Sequence, residues 1–146
     1  MSAVRRFAAD LKNLADIRSF VQEQATALQV DPDMVADIIL AVDESATNII
    51  EHGYDGQPGE VEIEVRQEGK AMVICLRDQA PLFDPTHLPS PDVDLPLDKR
   101  PLGGVGVYLT RHMMDEVSYR VTPQGGNELT LVKRAIGLNP AQGEVP

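Results

Sequence analysis

In the stretch DESATNIIEHGY, Glu44, Asn48 and His52 stand four residues apart. At roughly 100° per residue they form a polar ridge that drifts about 80° around a helix. A carboxylate and a carboxamide one turn apart set a proton acceptor beside a neutral oxygen ligand. Magnesium that arrives with phosphates and water takes one or two protein ligands, so a single carboxamide can suffice. The glutamate can then align and deprotonate a hydroxyl or water beside the metal. A solvated helix face accounts for the same pattern.

Three further stretches carry polar groups where structure alone does not ask for them. CLRDQAPLFDP leaves Asp78 at the end of an apolar run, where a bare carboxylate is costly without a partner. An adenine exocyclic amine, a loop N–H and an arginine are all suitable partners. GGNELTL sets Thr130 on a strand after two glycines, where a solvated or backbone-bonded threonine is the default. RPLGGVGVYLTR places Gly103, Gly104 and Gly106 around Val105 and then turns apolar.

Those glycines fit neither of two familiar phosphate loops. A P-loop needs lysine and Ser/Thr directly after the glycines, where Val107 and Tyr108 stand. A dinucleotide fingerprint needs a glycine at Leu109 and a strand just before the loop, and a proline-rich segment precedes it instead. What remains is a flexible joint, or a helix entrance whose free N–H groups and dipole favour an anion. Arg100, just before the glycines, is either a solvated residue or a charge able to stabilise a transferring phosphoryl group.

Periodicity indicates the elements that must position these groups. AVRRFAA alternates weakly, as a short strand does. Leu14, Ile17, Phe20, Val21 and Leu28 recur at helical spacing. Asp31-Pro32-Asp33 is a helix-start signal for a second helix running to His52-Gly53, where glycine can take a left-handed C-terminal conformation. EVEIEVRQ alternates with period two, and KAMVICLRD is the continuous apolar run of a more central strand, with QEGK as the turn between them. Residues 79–102 have no period and hold six prolines, as a functional lid does. A helix after the glycines and two strands, VSYRV and NELTLVKR, complete the order. Hairpin-linked strands and segregated helices indicate an α+β two-layer sandwich.

The 146 residues suit one domain with a real core. Thirteen basic against 23 acidic residues give −10, with no basic run, which argues against nucleic acid or an anionic membrane as partner. Cys75 has no partner for a disulfide and no metal-ligand spacing, so a buried inert thiol is expected. No stretch reaches the roughly 18 apolar residues of a membrane span and no signal segment is evident, so a cytoplasmic protein is expected.

The order of these stretches resembles the GHKL ATP-binding superfamily, and most closely its bacterial anti-sigma-factor serine/threonine kinases of partner-switching systems. The likeness covers about residues 5 to 135. DESATNIIEHGY resembles the family's N box, which implies Glu44 as catalytic base and Asn48 as Mg²⁺ ligand, with His52 facing the phosphates. RDQAPLFDP resembles its adenine box, placing Asp78 on the adenine amine. LGGVGVYL resembles its glycine box, so the backbone of Gly103, Gly104, Val105 and Gly106 would line the phosphates. GGNELTL resembles the last box, putting Thr130 near the adenine. The family continues its adenine box D-x-G, whereas Ala80 stands here and its methyl implies weaker nucleotide binding.

The resemblance implies the histidine-kinase-like ATP-binding fold, a mixed and mostly antiparallel sheet covered by helices on one face. One domain over residues 1–137 would carry a short lid at about 83–102, followed by a loose tail at 138–146. The implied activity is ATP-Mg-dependent phosphorylation of a Ser/Thr on a STAS-type anti-sigma-factor antagonist. The same molecule, as a homodimer, would hold a sigma factor. The alternative is a non-catalytic module of the same fold that sequesters a sigma factor or another regulator.

Overall fold

The computed structural model describes residues 2–87 and 110–137. Strand β1 (Ser2–Ala8) leads into helices α1 (Leu14–Ala27) and α2 (Pro32–Asn48). Strands β2 (Glu60–Glu68) and β3 (Ala71–Asp78) form a hairpin, and β4 (Glu116–Val121) and β5 (Asn127–Lys133) form another. The sheet order is β1-β2-β3-β5-β4, and every pairing is antiparallel. The expected two-layer α+β sandwich is therefore what the chain adopts, although its sheet contains no parallel pair among the described residues. Residues 88–102 of the expected lid, the glycine-rich start of the following helix and the tail at 138–146 lie outside the described residues. Residues 110–113 are the helical turn that leads into β4.

Strand parity separates the two faces of the sheet. Val61, Ile63 and Val65 of β2, Met72, Ile74 and Leu76 of β3, and Leu129 and Leu131 of β5 face the helices. They pack on Ile17, Phe20, Val21 and Ala25 of α1 and on Ile38, Ala41, Val42 and Ala46 of α2. This is the helical stripe meeting the period-two stripe, and its burial is the main drive for folding. Arg18 ties α1 to Asp43 of α2 at 2.6 Å.

The uncovered face is closed by charge instead. Arg77 sits at its centre and donates to Glu128 (2.6 Å), Glu64 (2.7 Å) and Glu62 (2.9 Å). Arg120 pairs with Glu128 from β4, and Arg6 with Glu62 from β1. Bonds to Arg120 and Arg77 hold the Glu128 carboxyl below the usual carboxylate range, and Arg77 does the same to Glu62. Beneath these long side chains Cys75 is buried, as expected of it, although the helices do not cover it.

Helix α2 starts where the sequence indicates. Asp31 caps the Asp33 amide at 2.9 Å, and Pro32 occupies the first helical position. Its end differs from expectation. After Asn48 the coil widens into a π-helical segment, Ile49–Tyr54, and the left-handed residues are Asp55 (φ +50) and Gly56 (φ +83) rather than Gly53. Tyr54 supplies the reason: its hydroxyl donates to the Glu60 carbonyl (2.7 Å) and accepts from the Gln79 amide (2.9 Å). That clamp joins the helix end to the start of β2 and the end of β3. It needs Gly59, because a Cβ there would lie 2.1 Å from the Tyr54 ring.

Gly59→Ala is accordingly expected to destabilise the fold by about 1 to 3 kcal/mol, the usual cost of overpacking. Thermal unfolding should show a midpoint lowered by at least about 3 °C. A midpoint indistinguishable from wild type would remove the clamp as a structural constraint.

Candidate functional site

The covered face of β3 reads Met72, Ile74, Leu76 and then Asp78. The last position breaks the apolar run with a carboxylate that is 5% exposed. The β3–β5 register sets Asn127 directly opposite it. Asp78 Oδ1 accepts from Asn127 Nδ2 (2.8 Å) and from the Ala80 amide (3.0 Å). No hydrogen bond reaches Oδ2 among the described residues, and no buried polar side-chain atom there lacks a partner, so Oδ2 retains access to solvent. Burial pushes the Asp78 carboxyl up from its ordinary value, and the N–H groups of Asn127 and Ala80 pull it partly back.

Asp78 lines a cavity of about 490 Å³. One wall is the end of α2 and its π-helical extension: Ser45, Asn48, Ile49, His52 and Gly53. Opposite stand Asn127, Leu129, Val117 and Tyr119 of the sheet, and Pro81, Leu82 and Phe83 close the rim. Mostly apolar walls with a few convergent polar groups suit a flat heteroaromatic ligand. The side chains of Asn48 and His52 make no hydrogen bond among the described residues, which leaves both available on the helix wall. No group of three His, Cys, Asp or Glu side chains is placed to hold a metal ion among the described residues. The Asn48 carboxamide is a hard, neutral oxygen donor, suited to a cation that carries phosphate and water ligands with it.

Asn48, His52, Asp78 and Ala80 thus come together from two distant stretches of chain, as the sequence led us to expect. Glu44 does not line this cavity; it is half-buried one turn before Asn48. Thr130 is on the other face of the sheet, opposite Cys75 with its hydroxyl 3.6 Å from the thiol. Its expected place beside the adenine is corrected by strand parity, since it stands three positions after Asn127 and an odd offset reverses the face. Gly103, Gly104, Val105 and Gly106, together with Arg100, lie outside the described residues. The methyl of Ala80 is directed at Gly53, where a Cβ would come within 3.2 Å of it. The helix therefore leaves room for the side chain that departs from D-x-G.

Sequence reasoning missed Asn127, Ser45 and Tyr119. Asn127 was legible in principle: counting back by twos from Leu131 and Leu129 reaches the covered face at residue 127.

The chain matches the family model for the histidine kinase-like ATPase domain over residues 7–133. It is 32% identical over 99 residues to the serine/threonine-protein kinase BtrW of Bordetella bronchiseptica, covering 67% of this chain and 69% of that protein. It is 28% identical over 113 residues to the serine-protein kinase RsbW of Bacillus cereus, covering 75% of this chain and 71% of that one. Among solved structures, the RsbU and RsbW domains of Rv1364c from Mycobacterium tuberculosis share the fold with a TM-score of 0.66 at 17% identity. That match covers 95% of this chain and 35% of the solved one, so this chain spans about a third of its length.

The raised Asp78 carboxyl fixes the sign of a stability effect. An acid that titrates higher in the fold than in the unfolded chain favours folding at low pH, and that contribution is lost as pH rises through the folded value. Asp78→Asn retains an acceptor for Asn127 and Ala80 without the buried charge. It should be at least as stable as wild type at pH 7, with the advantage gone near pH 3, in paired urea titrations. A loss of about 2 kcal/mol or more at pH 7, the cost of an orphaned buried hydrogen-bonding group, would contradict this account.

Proposed function

The chain belongs to the histidine kinase-like ATPase domain family, and on that premise we propose that it is a serine/threonine protein kinase of a partner-switching module. ATP binds in the cavity, and its γ-phosphoryl passes to a Ser/Thr of a STAS-type anti-sigma-factor antagonist. The same protein, as a cytoplasmic homodimer with one kinase domain over residues 1–137, sequesters a sigma factor. The observation that carries this reading is Asp78 Oδ2: an acceptor that no hydrogen bond reaches among the described residues, on an apolar cavity whose opposite wall presents Asn48 and His52. A carboxylate so placed suits the exocyclic amine of adenine.

In this reading Asn48 holds Mg²⁺, His52 faces the phosphates, and the backbone of Gly103, Gly104, Val105 and Gly106 cradles them. Mg²⁺, when bound, neutralises charge on the β- and γ-phosphates. In this reading Glu44, outside the cavity lining and one turn before Asn48, meets the incoming protein hydroxyl. It takes the proton of that hydroxyl as the hydroxyl oxygen bonds to the γ-phosphorus. The bond from that phosphorus to the β-phosphate oxygen breaks, and ADP leaves with the electron pair. Positioning and charge neutralisation carry most of such a transfer, so few side chains are needed. Thr130, on the far face, has no part in it.

Thermal unfolding with ATP-Mg²⁺ tests the site. Ligand at about 100 times its dissociation constant adds roughly 2.7 kcal/mol, a rise on the order of 5 to 10 °C for a chain of this size. Asn48→Ala should abolish the magnesium-dependent part of the shift. Glu44→Gln should keep the shift and lose about 100-fold or more in phosphorylation of the antagonist. Absence of any shift would end the ATP reading. A shift with no transfer to any STAS-type substrate would leave a nucleotide-binding sequestering module.

A further inference from the structure

The Asn127 carboxamide is buried and joins five other residues, the Pro81 carbonyl at 3.4 Å among them. Its Oδ1 accepts from the Phe83 amide (3.1 Å) and from the Tyr119 hydroxyl (2.5 Å). Its Nδ2 donates to Asp78 Oδ1 (2.8 Å) and to the Ala80 carbonyl (3.1 Å). The network fixes which end of the amide is which. A backbone N–H requires the oxygen on one side, and a carbonyl and a carboxylate require the nitrogen on the other.

This orientation has a consequence for Asp78. The oxygen facing Asn127 meets two N–H donors and can only accept. A proton on Asp78 must therefore reside on Oδ2, the oxygen left to the cavity. Ionised, Oδ2 accepts from a 6-amino purine; protonated, it donates to a 6-oxo purine. Asn127 stabilises the ionised form through its N–H, whereas burial opposes it.

We propose that Asn127 is a positioning and specificity residue: it holds Asp78 as a pure acceptor, so that the cavity takes a 6-amino purine and rejects its 6-oxo counterpart. The inference rests on the ATP site proposed above. Asn127 does not touch the base, because its amide is spent on the protein. Through Phe83 it also binds the 80–83 rim to the same carboxylate, so base reading and rim position are set together.

The test is the ratio of ATP to inosine triphosphate affinity between pH 6 and 8. Inosine triphosphate isolates position 6, since it lacks the 2-amino group of guanine. Wild type should prefer ATP by at least about tenfold, the value of one hydrogen bond to a charged group, at every pH in the range. Asn127→Leu removes a donor that holds the Asp78 carboxyl down, so its preference should fall towards the acid end of the range. Asn127→Asp keeps an acceptor for Phe83 and Tyr119 but sets two carboxyls against each other. Its preference should survive across the range, because a proton shared between the two carboxyls leaves Oδ2 an acceptor and its loss leaves Oδ2 ionised. The other ionisable groups nearby are Asp84 and Tyr119 on the sheet side and His52 on the helix side. Asp84 and His52 are unaltered in all three proteins and cancel in the comparison, whereas Tyr119, whose partner at 127 changes, is held above its ordinary value and stays neutral over the range.

A preference that depends on pH in the leucine variant and not in the aspartate variant supports the proposal, because a merely structural residue would not produce that split. A flat preference in the leucine variant overturns it, as does a lost preference in the aspartate variant, and Asn127→Ala takes the place of the leucine variant if that one does not fold. A strongly pH-dependent preference in wild type overturns it as well. Wild type that binds neither nucleotide overturns the ATP site itself.

Discussion

A carboxylate buried at the end of the covered face of β3 is the constraint on which the rest of the site depends. Asp78 is tolerable there because two N–H groups meet it, one from the turn at Ala80 and one from Asn127 across the β3–β5 ladder. The second donor exists only if β5 pairs in this register, since a slip of one residue would carry Asn127 to the charged face. Gly126 enforces the approach. A side chain there would come within 2.4 Å of the Asp78 carbonyl oxygen, so the strand entering β5 can lie this close only as glycine. Sheet register, hairpin geometry and the cavity wall are thus set by one pair of facing residues.

The two faces of the sheet solve different problems with the same strands. The helix-covered face is apolar up to the point where the cavity begins. Among the described residues the uncovered face has no second layer, and Arg77, Glu62, Glu64, Glu128 and Arg120 close it with fixed charge pairs. Apart from the buried Glu128 these groups are partly solvated, so each pair by itself contributes modestly. Arg77 contacts carboxylates on both neighbouring strands, however, so the lattice reports on the pairing of β2, β3 and β5 together. Thr130 belongs to that face, beside Cys75, and not to the cavity.

Much of this was legible in the sequence. The helical recurrence of Leu14 to Leu28, the Asp31-Pro32 start of α2 and the two hairpins all follow local rules, and the local rules held. Bringing Asn48, His52 and Asp78 to one cavity was legible as well, from the order of the stretches that contain them. What was not legible depends on tertiary contact. The π-helical widening at Ile49–Tyr54 arises where Tyr54 must reach Glu60 and Gln79, which no i, i+4 pattern records. Thr130 was misplaced because its motif was considered without counting strand parity. Asn127 was missed because an asparagine just after two glycines reads as turn chemistry until its partner across the ladder is known.

The contact between Gly53 and the Ala80 methyl bears on how such a chain changes over generations. A side chain at 53 would crowd that methyl, so the two positions are coupled. With alanine at 80, a side chain at 53 is accommodated only if the methyl gives way by a few tenths of an ångström. The constraint runs one way, since glycine at 53 accepts either glycine or alanine at 80.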